Sequence, residues 1–132
     1  MTRYSISQPV TQVEAPRLLM GKGSYTDDVT LPRECHAVFL RSPHAHAEIR
    51  GMDLKAAEAM PGVIRILTAE DIEKDGIGEV AGNPPPKRRG GAPGFRPPRP
   101  PITKDRVLHV GQIVAVVIAE TINRAKDATE AI

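Results

Sequence analysis

The stretch from Pro84 to Pro101 holds eight of the chain's 13 prolines, and it limits the possible folds more than any other feature. Proline lacks a backbone N–H and fixes φ, so neither a helix interior nor a central strand can run through these residues. The prolines favour polyproline II, and the intervening glycines add freedom. Residues 76–104 are therefore expected as a flexible, Pro/Gly/Arg-rich surface loop, and a core must come from the segments on either side. At 132 residues the chain has the length of one domain, enough to bury roughly two thirds of its unfolded surface.

The best strand follows the loop. Ile113-Val-Ala-Val-Val-Ile-Ala119 is an uninterrupted apolar run, largely β-branched and bounded by Gln112 and Glu120, as expected of a buried strand. Order is expected to return at Arg106 to Val110, and Gly111 then permits a tight bend. Before the loop, Cys35 to Leu40 reads as an interior strand because it is apolar on both faces. Ala45 to Ile49 is a second extended piece, and Val63 to Leu67 a further strand.

Helices fill the gaps. Asp53 can cap Leu54 to Met60, which Pro61-Gly62 ends. Thr68-Ala-Glu-Asp71 has capping-box spacing. Thr121 can cap a last helix with Ile122, Ala125, Ala128 and Ile132 on one stripe. That stripe is still apolar at the final residue, so the chain is expected to end on a buried position. Strand, helix, strand favours an α+β or α/β architecture over an all-β barrel: a mixed sheet with short helices and one long loop. Residues 1–20 read as an extended polar lead-in with Pro9 and Pro16 as breakers, and residues 21–132 as the domain.

Charge is uneven. From Pro84 to Arg106 the balance is +6, and the remainder carries −4, for a total of +2. The total alone implies no nucleic-acid or membrane partner. One cysteine, Cys35, excludes an internal disulfide and fits a reducing compartment. No leader or spanning run is visible at the start, so a cytoplasmic location is expected.

Several side chains invite functional readings. His44 and His46 alternate, with Glu48 next and His36 nearby, which could assemble a zinc site; since they follow Pro43 at a bend, a hydrogen-bonded turn is the expected role. Cys35 lacks a cationic helix end to activate it and is expected as a small buried residue. Tyr25, Asp27 and Asp28 could serve acid–base chemistry only in a buried pocket; in a Gly-rich turn they are expected to close the loop on its backbone. Lys87, Arg88, Arg89, Arg96, Arg99, Lys104 and Arg106 could attract RNA, but Phe95 is the only aromatic residue near them, so base stacking would be poor. A solvated loop, or one that docks on a partner subunit, is the preferred reading.

Three blocks in order, Gly21-Lys-Gly-Ser-Tyr-Thr-Asp-Asp28, Leu40-Arg-Ser-Pro-His-Ala-His-Ala47 and Val110-Gly-Gln-Ile-Val-Ala-Val-Val-Ile-Ala-Glu120, with Pro61-Gly62-Val63 between them, carry a resemblance. They resemble the amino-terminal α/β hammerhead domain of the xanthine dehydrogenase and aldehyde oxidase family, including the large subunits of aerobic carbon monoxide dehydrogenases. Departures are Pro32-Arg33, where that family commonly has Pro-Gly, Gln112-Ile113 in place of Glu-Pro, and the long basic loop. The resemblance implies a parent enzyme that inserts water-derived oxygen into C–H bonds or oxidises CO. Its molybdenum sits on molybdopterin, often as the cytosine dinucleotide, with iron–sulfur clusters and FAD on partner domains or subunits.

No Gly-Gly-Gly-Phe-Gly-type cofactor loop is present, and the family's base glutamate belongs near the carboxyl end of the parent. No catalytic, cofactor-binding or metal residue is therefore assigned to this chain. The expected role is a structural domain of a molybdopterin-binding oxidoreductase subunit, packed against the remaining cofactor domains. The alternative is a stand-alone hammerhead module that holds a protein partner, or less favourably nucleic acid, through its basic loop.

Overall fold

The computed structural model describes residues 12–82 and 84–132, and the chain divides into two compact units, Met1–Glu34 and Cys35–Ile132.

In the first unit the described residues begin just before a short helix, α1 (Ala15–Leu19), with Pro16 in its first turn. Proline is tolerated there because the missing N–H would be unsatisfied anyway. The reading of an extended lead-in, which took Pro16 as a breaker, is corrected on this point; its residues 1–11 lie outside the described part. Gly21, at φ 67°, ends the helix, and Arg17 closes the turn by donating from Nε to the Lys22 carbonyl at 2.7 Å. A single 3₁₀ turn follows at Thr26–Asp28. Arg33 holds φ 63°, a left-handed conformation that glycine adopts at no steric cost. The Pro-Gly to Pro-Arg departure thus falls where the backbone favours glycine.

Among its described residues the second unit holds five strands and three helices: β1 (His36–Arg41), β2 (Ala47–Glu48), α2 (Lys55–Glu58), β3 (Val63–Leu67), α3 (Ala69–Lys74), β4 (Arg106–Val107), β5 (Ile113–Ala119) and α4 (Ile122–Glu130). Three strands form a sheet in the order β1-β5-β3, and β2 pairs with β4 separately. Every pairing is antiparallel, where a mixed sheet was expected. The α+β class holds, with β5 at the centre as its unbroken apolar run requires. By contrast β1 is an edge strand whose burial alternates, so the interior reading of Cys35–Leu40 is corrected. Ala37 and the 48% exposed Phe39 face outward despite being apolar.

Register separates the two faces of the sheet. Val38 and Ile66 both pair with Val117, and Leu40 pairs with Ala115. These residues pack with Ala57, Ala119, Ala125 and Ala128 into one cluster, in which the alanines and Val117 are completely buried. With no side chain beyond Cβ at those positions, α4 can approach the sheet closely. Thr121 caps α4 by accepting from the Arg124 N–H at 3.3 Å. The stripe is kept at Ala125 and Ala128, and Ile132 packs on the cluster half-buried, but Ile122 is 49% exposed in the first turn.

The opposite face is covered differently. Phe39, Val116 and Leu67 share a row there. Val116 packs with Ala69 of α3 and with Ile102, both buried. Order therefore returns before Lys104: Ile102 and Thr103 are 4% and 3% exposed, inside the segment read as loop. The rest of that segment folds back on itself. Val80 donates to the Arg99 carbonyl at 2.8 Å and Arg88 to the Ala92 carbonyl at 2.8 Å. Gly94 sits so close to the Pro86 carbonyl that a Cβ would meet it.

Candidate functional site

The first candidate, His44 and His46, lies before β2 rather than on it, and both residues are exposed. Ser42, 8% exposed, instead organises the bend: its Oγ accepts from the His44 N–H at 3.1 Å, and its backbone exchanges bonds with Gln112 and Gly111 at 2.9 and 2.8 Å. Glu48 is taken by Arg106 across the β2–β4 pair at 2.7 Å. Among the described residues no group of three His, Cys, Asp or Glu side chains is placed to hold a metal ion.

Cys35 is exposed, which corrects the reading of a small buried residue; it precedes an edge strand and so lacks a covering layer. Tyr25, Asp27 and Asp28 lie in the 3₁₀ turn, and all three are exposed. Asp28 closes that turn by accepting from the Tyr25 N–H at 2.8 Å through Oδ2. The tetrapeptide Gly76-Ile-Gly-Glu79 spells a Gly-x-Gly-Glu pattern, but it lies on the exposed exit from α3.

Asp71 is the best-organised carboxylate. It accepts from the Thr68 N–H at 2.9 Å and from the Thr68 hydroxyl at 3.1 Å, and pairs with Arg65 at 3.1 Å. The Thr68 N–H first, and Arg65 second, hold its carboxyl below the usual carboxylate value. These bonds fix the start of α3 and leave no free base. Lys104 donates to Glu73 at 2.6 Å, and that bond raises its ammonium above the ordinary lysine value.

A surface feature remains that sequence reading did not find. Pro97 to Pro101 runs between two hollows. One, of about 410 Å³, is walled by α3, Ile77, Ile102 and Leu108. The other, of about 420 Å³, is walled by Arg41, His109, Gly111 and Ile113. A third, of about 250 Å³, continues past Arg99 to Phe95 and Pro84–Pro86. Its signal in the sequence was Ile102 and Leu108 bracketing the return from the loop, too sparse to show a period.

A pterin-bound metal would need a phosphate cradle and donors converging on one point. These hollows are lined chiefly by proline and aliphatic side chains, so they do not fit such a group. A four-thiolate cluster is beyond a chain with one cysteine.

Comparison with known proteins accounts for this arrangement. Residues 20–132 match the family profile described as aldehyde oxidase and xanthine dehydrogenase, a/b hammerhead domain. The chain is 38% identical over 130 residues to the nicotine 6-hydroxylase large subunit of Paenarthrobacter nicotinovorans, covering 98% of this chain and 15% of that protein. It is 36% identical over 119 residues to the carbon monoxide dehydrogenase large chain of Afipia carboxidovorans, covering 90% and 13%. Among solved structures, quinoline 2-oxidoreductase from Pseudomonas putida 86 superposes with a TM-score of 0.76 at 33% identity, over 92% of this chain and 15% of that one. The chain thus spans only 13–15% of the relatives named here. On the strength of a profile match that takes in both the 3₁₀ turn and the whole second unit, the chain belongs to the a/b hammerhead family of aldehyde oxidases and xanthine dehydrogenases.

Proposed function

We propose that this chain serves as the amino-terminal structural domain of the large subunit of a molybdopterin-binding oxidoreductase, of the type that hydroxylates with water-derived oxygen or oxidises CO. The observation that carries the reading is the match of residues 20–132 to the a/b hammerhead profile, in a chain that spans 13–15% of much longer redox enzymes. Molybdenum on its pterin, iron–sulfur clusters and FAD would then be held by other domains or subunits, which are this chain's partners. The domain itself packs against them and shapes the approach to the cofactor; it takes no part in bond making. A cytoplasmic setting fits the single, exposed cysteine, and among the described residues no helix is long and apolar enough to cross a membrane.

The test is to tag this chain at its native locus, purify it, and measure polypeptide mass and molybdenum content together. A polypeptide several times longer, with stoichiometric molybdenum, is the expected result. A metal-free polypeptide ending at Ile132 would contradict it and favour a stand-alone module holding a protein partner through the basic loop.

A further inference from the structure

The two hollows beside Pro97–Pro101 share Pro98, Pro100, Pro101, Leu108 and Gln112, so they form one surface divided by a proline ridge. The third joins it through Pro97 and Arg99. Large apolar side chains stand open along this surface: Ile77 at 52%, Leu108 at 52% and Phe95 at 73% exposure. Scattered apolar residues need no explanation, but a contiguous set around a rigid ridge marks an interaction site. Proline makes the ridge a cheap surface to dock on, since little conformational freedom is left to lose on binding.

Charge narrows the partner. Lys104 and Arg106 are satisfied by Glu73 and Glu48. Arg41 stacks 5.5 Å from the Phe39 ring and donates to the Gly111 carbonyl at 2.8 Å, without a carboxylate. Neither Arg96 nor Arg99 forms an ion pair among the described residues, and both are exposed on the ridge. Three guanidinium groups thus border the second and third hollows, whose linings hold no Asp or Glu, while the carboxylates Glu73, Glu79 and Asp105 lie along the first. A nucleic acid would leave the aliphatic floor unmatched and would find only Phe95 for stacking. A protein surface with apolar side chains at its centre and Asp or Glu at its margin satisfies both parts, the pattern of an apolar interface core with a polar rim.

We propose that the Pro97–Pro101 ridge with its flanking hollows is the docking surface for a carboxylate-rimmed, apolar-centred face of a neighbouring domain or subunit of the same enzyme. The proposal rests on the reading of this chain as part of a larger oxidoreductase. Arg41, Arg96 and Arg99 set the register of docking, and Leu108 and Ile77 supply the buried contact.

Photo-crosslinking in the intact enzyme tests this. The probe is p-benzoylphenylalanine placed at Leu108, with the same residue at Ile122 on α4 as a control outside the surface. Crosslinks from position 108 to an Asp/Glu-bearing segment of another domain or subunit are expected, and the Ile122 probe should not reach that segment. Joining Arg96→Glu and Arg99→Glu to the probe should cut the yield about tenfold, the effect of two exposed pairs turned repulsive, while Arg96→Lys with Arg99→Lys keeps most of it. No crosslink from 108, crosslinks to nucleic acid or to a second copy of this chain, or a yield indifferent to charge reversal would each overturn the proposal. Molybdenum assayed in the same sample separates the two claims: a loaded enzyme without the crosslink sinks only the docking surface, and a metal-free chain recovered alone sinks both.

Discussion

The two faces of the β1-β5-β3 sheet are finished in different ways. Towards α4, five alanines with nothing beyond Cβ, Ala57, Ala115, Ala119, Ala125 and Ala128, are fully buried and cluster with the buried Val117 and Ile66. Towards α3, cover is partial. Val116 and Ile102 are buried, yet Phe39 in the same row is half exposed, and Arg65 pairs outward with Asp71. The α3 side then continues into the open proline ridge. The first face is closed by the chain itself through close approach, so it should be intolerant of volume. The second carries a surface finished by contact with something else, so it should tolerate change in the chain alone and be sensitive in the assembly.

Adding volume to the closed face gives the largest effect. Ala128→Leu should cost about 3 kcal/mol through overpacking between α4 and β1. Denaturant unfolding of the chain reads this, and a loss under 1 kcal/mol would mean that α4 is not seated as described. Removing volume from the same face should cost somewhat less. Val117→Ala deletes two methyl groups from the centre of β5, a loss of about 2 kcal/mol.

Next comes a backbone device on that face. Gly62 holds φ 82° beneath the Arg124 side chain, which pairs with Glu120. A Cβ there would be strained and would meet the guanidinium, so Gly62→Ala should cost about 1–2 kcal/mol. An unchanged melting temperature would show that the turn adjusts freely.

On the α3 face the expected effects are small. Asp71 has a lowered folded-state pKa. Its contribution is therefore complete above the ordinary carboxylate value, about 3.9, and is lost as pH falls through the depressed folded value. Asp71→Asn should flatten the stability curve in that acid window and leave it unchanged near neutrality apart from the lost bonds. A difference confined to alkaline pH would contradict the assignment. Smallest of all, Leu108→Ser should move the stability of the chain alone by no more than about 0.5 kcal/mol, because the side chain is already half in solvent.

The contrast also explains what the sequence could disclose. β3 and β5 were legible to the residue, because β-branched runs between turn residues have few other uses. The start of α3 was legible in Thr68 and Asp71, a local pairing that needs no tertiary knowledge. β1 was misplaced because Ala37 and Phe39 are apolar yet face outward, so composition suggested two buried faces where register gives one. Ile102 was lost in the proline segment because a single anchoring residue has no period. Ile122 fits the helical stripe but is 49% exposed in the first turn of α4. The candidate surface was the least legible feature. It arises only when Pro97–Pro101 is laid beside Leu108 and Ile113, a tertiary apposition that no local pattern encodes.

Hydroxyl-radical footprinting of the chain alone and within the assembled enzyme tests the central claim, that one face is closed by the chain and the other surface by a partner, most directly. The account predicts strong protection of Leu108, Ile77 and Phe95 on assembly, with Met60, which packs against the α4 cluster, oxidised equally in both states. Equal oxidation of Leu108 and Phe95 in the two states would contradict it.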